Sequence, residues 1–156
     1  MEEGKFDFSL IAHQIQAAEK LSLRIVLIWF GAFKNAKSTY APSWVRSDTK
    51  RFPRALNIPG GEPNDAPTLS VFSQNLLDAD RAAFCKLMHY LKSKDKKNTV
   101  VMVQVENEMG LLGSSRDFSA AAEAAWQQAG LPDDWQHHEK FMAEAFAKYT
   151  NAIAKA

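Results

Sequence analysis

One cysteine in 156 residues, Cys85, excludes an intrachain disulfide and any cysteine-based metal site. It stands at helical spacing among Phe84, Leu87 and Met88, which predicts a buried, inert thiol rather than a nucleophile. Charge of either sign is also scarce in excess: 19 Lys and Arg against 18 Asp and Glu leave +1, too little to neutralise a run of phosphates, so nucleic acid is not an expected partner. The one lysine-rich stretch, Lys92 to Lys97, is short and suits the solvated end of a helix. No apolar run nears the roughly 20 residues that a membrane helix needs. The start, Met1-Glu2-Glu3-Gly4-Lys5, lacks the apolar core of a signal peptide, so a cytoplasmic chain without a membrane partner is the expectation. Gly60-Gly61 is not followed by the Lys-Ser/Thr of a phosphate loop. What remains, 46% apolar and 24% charged, suits one globular unit with a core.

Two short, β-branched, very apolar runs organise the chain. Leu23–Phe30 and Thr99–Val105 have the length and composition of strands buried on both faces, as in parallel sheets. Helical periodicity predicts a helix over Leu10–Leu21 with Ser9 as N-cap and Ile11, Ile15 and Ala18 on one face. A second is predicted over Asp78–Leu91, with Phe84, Leu87, Met88 and Leu91 on its stripe. A short one at Ala120–Ala129 is ended by Gly130 and Pro132, and a last one covers His138–Ala154, with Phe141, Ala145, Tyr149 and Ile153 in line. The order helix, strand, helix, strand, helix implies α/β architecture with parallel strands. Long irregular stretches, 31–68 and 109–136, follow the carboxyl ends of both strands, where α/β folds build their sites.

The second strand opens into Glu106-Asn107-Glu108, a carboxylate, an amide and a carboxylate, which are the prime candidates for chemistry. Trp29 ends the first strand and is placed at the site; Lys34 and Asn35 in the following loop are placed as hydroxyl contacts to a ligand. Phe30, Tyr40 and Trp44 are expected to pack within that loop, and Arg116-Asp117 to form a loop ion pair. His137 and His138 are neighbours on a helix and do not converge on a metal; His13 and His89 read as surface or packing residues.

Three stretches resemble the catalytic barrel of β-galactosidases of glycoside hydrolase families 35 and 42. They are Glu3-Gly-Lys-Phe-Asp-Phe-Ser9; Leu27-Ile-Trp-Phe-Gly31 through Lys34-Asn35 to Tyr40-Ala-Pro-Ser-Trp44; and Val103-Gln-Val-Glu-Asn-Glu-Met-Gly110 with Leu111–Asp117. Lys50-Arg-Phe-Pro-Arg54 adds to the match. The resemblance implies a partial (β/α)8 barrel, residues 1–156 covering roughly the third and fourth βα units and lacking the first two and last four strands. It implies Glu108 as general acid/base and Asn107 as the contact to the sugar 2-hydroxyl, with the nucleophilic glutamate, at the end of the seventh strand, absent from this chain. The implied activity is retaining hydrolysis of terminal β-galactosides, with a β-galactoside or related carbohydrate as partner and no metal or organic cofactor.

Such an enzyme holds two carboxyl groups about 5–5.5 Å apart on either side of the glycosidic bond. The acid must keep its proton near neutral pH, which burial and a negative neighbour favour, and Glu106 is the expected neighbour of Glu108. Glu106 shares a strand with Glu108, so it is not expected to act from the opposite side of the sugar; it is expected to line the site and to pair with a cation such as Arg24. The alternative is a truncated, non-catalytic barrel remnant that binds sugar weakly, self-associates, or joins a complementary barrel segment. A piece cut from a larger fold would leave both sheet edges open and a large apolar surface exposed.

Overall fold

The computed structural model describes residues 2–35, 38–61 and 68–156. The predicted long loop at 31–68 therefore lies partly outside the described residues. Among those described, the chain runs α1 (Ser9–Lys20), β1 (Ile25–Trp29), α2 (Ser43–Ser47), α3 (Gln74–Lys94), β2 (Val100–Val105), α4 (Ala120–Ala129) and α5 (Trp135–Ala154). The predicted elements are all present, and α2 is an addition within the first loop.

Helix ends follow local hydrogen-bond chemistry. Ser9 does not cap α1, as the sequence suggested: it is the first helical residue, and its amide donates to the Asp7 carboxylate at 2.8 Å. The predicted second helix starts earlier than its apolar stripe because the Ser73 hydroxyl accepts the Leu76 amide at 3.2 Å, a regular N-cap. At its far end Asp95 receives the amides of Thr99 and Val100, both at 2.8 Å. Burial raises the Asp95 carboxyl, but these two amides, with the Thr99 side chain and the Arg24 charge, hold it below the usual carboxylate range. The same contacts turn the chain from α3 into β2.

β1 and β2 pair in parallel, Val26 opposite Met102, Ile28 opposite Gln104 and Trp29 opposite Val105. The expectation that both strands are buried on two faces is corrected. Trp29, Val103 and Val105 pack toward the helices, on a core that includes Leu76 and Phe84 of α3 and Tyr149 and Ile153 of α5. The opposite face is open: Val26 is 51% and Met102 57% exposed, with Ile28 and Gln104 beside them. Parallel sheets ordinarily cover both faces, and here helices cover one.

Much of the core comes from the segment after β1. Phe33, Ala41, Val45 and Phe52 are buried in it. Trp44 meets Phe52 edge-on at 5.5 Å and packs within the loop as expected, and Phe30 lies 5.3 Å from Tyr40, which stays exposed to solvent. Cys85 is half-buried rather than buried.

Candidate active site at the strand ends

The two strands end side by side, and the ladder continues one step, the Glu106 amide donating to the Trp29 carbonyl at 2.9 Å. The chain then leaves the extended conformation. Glu106 takes φ 61° and Glu108 takes φ 43°, both in the left-handed region. For residues with a Cβ this costs on the order of 1–2 kcal/mol each, and such strain concentrates where function needs it. The turn sends the two carboxylates to opposite environments. Glu106 is 2% exposed, whereas Glu108 is exposed to solvent.

The Glu106 carboxyl group reaches back under the loop that follows β1. Its two oxygens accept the amides of Ala32 at 3.1 Å and Phe33 at 2.8 Å. It does not pair with Arg24, whose guanidinium instead donates to the carbonyls of Lys97 and Asn98 at the other end of the sheet. The partner beside it is a second acid, Asp80 on α3. Burial first, then the adjoining Asp80 carboxyl, pushes Glu106 up to about 10, so it keeps its proton through neutral pH.

Asp80 is 7% exposed and receives three donors: the Trp29 indole at 2.8 Å, the Ala32 amide at 3.1 Å and the Tyr149 hydroxyl at 2.9 Å. Burial and the two acids raise Tyr149 well above its ordinary value, so it remains a hydroxyl donor. One buried cluster thus joins β1, its loop, α3, β2 and α5. Gly31 is required by this packing, because a Cβ there would collide with the Asp80 carboxylate and the Trp29 indole nitrogen.

Of the residues placed at the site from sequence, the structure gathers some and moves others. Asn107 is held at the mouth: its Nδ2 donates to the Lys34 carbonyl at 3.0 Å, and its Oδ1 accepts Gln104 Nε2 at 2.8 Å. Lys34 is thus joined to the turn through its backbone, and Asn35 is linked to Ser38 in the same loop. Trp29 is corrected: its indole turns toward α3, meets Phe84 edge-on at 5.6 Å and spends its N–H on Asp80, so it supports the site from the core. Glu106 is likewise no ligand contact here, since its carboxyl is buried and bonded to backbone amides. The burial and negative neighbour expected for Glu108 are not supplied by these residues, because Glu108 is exposed and Glu106 is protonated.

Asp80 and Tyr149 were missed. The signal was present for Asp80, which stands four residues before Phe84 and seven before Leu87, on the apolar stripe of α3 where a carboxylate needs partners. Arg116 and Asp117 do not form the expected ion pair. Arg116 pairs with Glu123 at 2.6 Å between the rings of Phe118 and Trp126, and Asp117 accepts Ser70, Ser119 and the Leu56 amide. His137 and His138 bond Asp134 and Asp133, and among the described residues no group of three or more metal-ligating side chains converges. No family model and no curated protein matches this chain.

Proposed function

We propose that the chain carries the acid/base half of a retaining glycoside hydrolase site for terminal β-galactosides, built on the third and fourth βα units of a (β/α)8 barrel. Glu108 protonates the departing glycosidic oxygen and later takes a proton from water. Asn107 bonds the sugar 2-hydroxyl, and Lys34 and Asn35 contact other hydroxyls. The attacking carboxylate is not among these residues. The observation that carries the reading is the left-handed pair Glu106 and Glu108 around Asn107 at the carboxyl end of a parallel strand. That position is where barrel enzymes mount catalytic groups, and residues held in the left-handed region often stand at such sites. The open apolar face of the sheet fits a strand pair taken from a closed barrel.

The test is hydrolysis of phenyl β-galactoside, whose poor leaving group needs an acid, with and without azide. Azide can stand in for the attacking carboxylate, forming a C1–N bond as phenol leaves with the proton from Glu108. Phenol release is expected, and Glu108→Gln should lower it about 100-fold or more. Absence of any release dependent on Glu108 would overturn the assignment.

A second reading rests on the open face with Val26, Ile28 and Met102 exposed. In it the chain is a non-catalytic remnant that associates through this face. Concentration-dependent association without turnover would favour it; a monomer at all concentrations would exclude it.

A further inference from the structure

Asp80 lies on a helix away from the mouth, yet it joins several of the segments that lead from the core to the turn. It fixes Trp29, the last residue of β1, and Ala32, in the loop whose Lys34 carbonyl holds Asn107. It adjoins Glu106, whose backbone opens the left-handed turn. On its remaining side it holds Tyr149 of α5, the helix whose Thr150 hydroxyl also donates to Met109 Sδ at 2.9 Å just beyond Glu108. The two carboxyl groups meet at one donor, the Ala32 amide, which lies 3.1 Å from an oxygen of each.

We infer that Asp80 is a positioning residue of this site, which, acting through Glu106, sets the turn that presents Asn107 and Glu108 to a sugar. The inference rests on the reading of that turn as a galactoside site. The physical argument is one of donors and acceptors. Three donors converge on the Asp80 carboxylate, and two backbone amides converge on Glu106. The proton that Glu106 retains is then the one donor left to join the two acids. An amide in place of Asp80 would set its NH2 against the Trp29 N–H or the Ala32 N–H, so the isosteric change disturbs one of those contacts. Glu106 is held by its amide to Trp29 and by its carboxyl to Ala32 and Phe33, so a displaced Asp80 bears on the residue that starts the turn. Among the described residues, the titratable groups acting on Glu106 and Tyr149 are Asp80 and these two residues themselves.

The experiment compares wild type, Asp80→Asn and, as a control, Asp95→Asn, which weakens the opposite end of the sheet. Three readouts are taken by NMR on the folded chain: the Asn107 side-chain amide and Glu108 backbone amide, the pH midpoint of the Glu106 side-chain carboxyl carbon, and the affinity for methyl β-galactoside. In Asp80→Asn the Asn107 and Glu108 signals should move or broaden, the Glu106 midpoint should fall, and binding should weaken at least tenfold. Asp95→Asn should leave all three unchanged. Unaltered Asn107 and Glu108 signals in folded Asp80→Asn would overturn the inference. Should Asp80→Asn not fold, Tyr149→Phe removes one donor from Asp80 and keeps the ring, and the same two signals must move in it. Failure of wild type to bind the galactoside would sink the functional reading alone, while the Asn107 and Glu108 signals would still decide the role of Asp80.

Discussion

Asp80 and Glu106 share a single backbone amide, that of Ala32, with 3.1 Å from its nitrogen to an oxygen of each. The relation sets one acid against the other, adding to the burial that keeps Glu106 protonated, and it ties α3 to the end of β2. Much of what the chain does under changing conditions follows from it.

The first consequence is an unusual pH dependence. The Glu106 carboxyl is raised to about 10 in the fold, against 4.5 for its ordinary value. Between these values the native state holds a proton that the unfolded chain has released. The stabilisation is therefore complete below about 4.5 and declines as pH rises, until it is gone above about 10. Urea unfolding from pH 6 to 9 should show stability falling with a slope of up to about 1.4 kcal/mol per pH unit from this group. Glu106→Gln should remove that slope; a slope that persists in the variant would assign it elsewhere.

Gly31 is the point where the backbone must pass close to the Asp80 carboxylate. Gly31→Ala should push that carboxylate off its donors and cost roughly 1–3 kcal/mol, the range for overpacking a filled interior. The Trp29 indole N–H resonance should shift in the same variant. Full stability with an unmoved indole signal would contradict the packing described.

Glu108 is exposed and sits at φ 43°, so its side chain brings strain without burial. Replacing it by glycine should relieve that strain and raise stability by roughly 0.5–1 kcal/mol, while ending any acid/base role. A denaturant midpoint that rises as activity vanishes is the expected pattern, and a fall in the midpoint would mean that the side chain is a structural support.

Asp95 anchors the start of β2 through two backbone amides. Asp95→Asn should cost about 1–2 kcal/mol at neutral pH, since an amide can accept only one of them. Because the Asp95 carboxyl is held below its ordinary range, its contribution is present at neutral pH and is lost as pH falls through the low folded value. The acid limb of a stability-against-pH curve should flatten in the variant.

The elements were legible because each has a strong period or a clear stop. Residues Ala120–Ala129 ended where Gly130 takes its left-handed cap, and the two strands were visible as β-branched runs. The turn at 106–108 was legible as the end of a buried strand, but its conformation was not. Strand alternation puts Glu106 and Glu108 on one side, and two left-handed residues put them on different sides. Trp29 was read at the mouth because it ends a strand, yet alternation along Ile25–Trp29 places it with Leu27 on the helix-facing side. The sequence offers Arg24 on the neighbouring strand as a cation for Glu106; a retained proton and two backbone amides take that place. The partners of Asp80 come from segments distant in sequence, and spacing along one helix cannot name them.

The most direct test of the account is a titration of the isotope-labelled chain with methyl β-galactoside, following the Asn107 side-chain amide and the Glu108 backbone amide by NMR. Saturable shifts at both positions, absent with methyl α-glucoside and lost in Asn107→Ala, are the predicted result. Signals at 107 and 108 that stay fixed throughout, or that respond equally to both sugars, would contradict it.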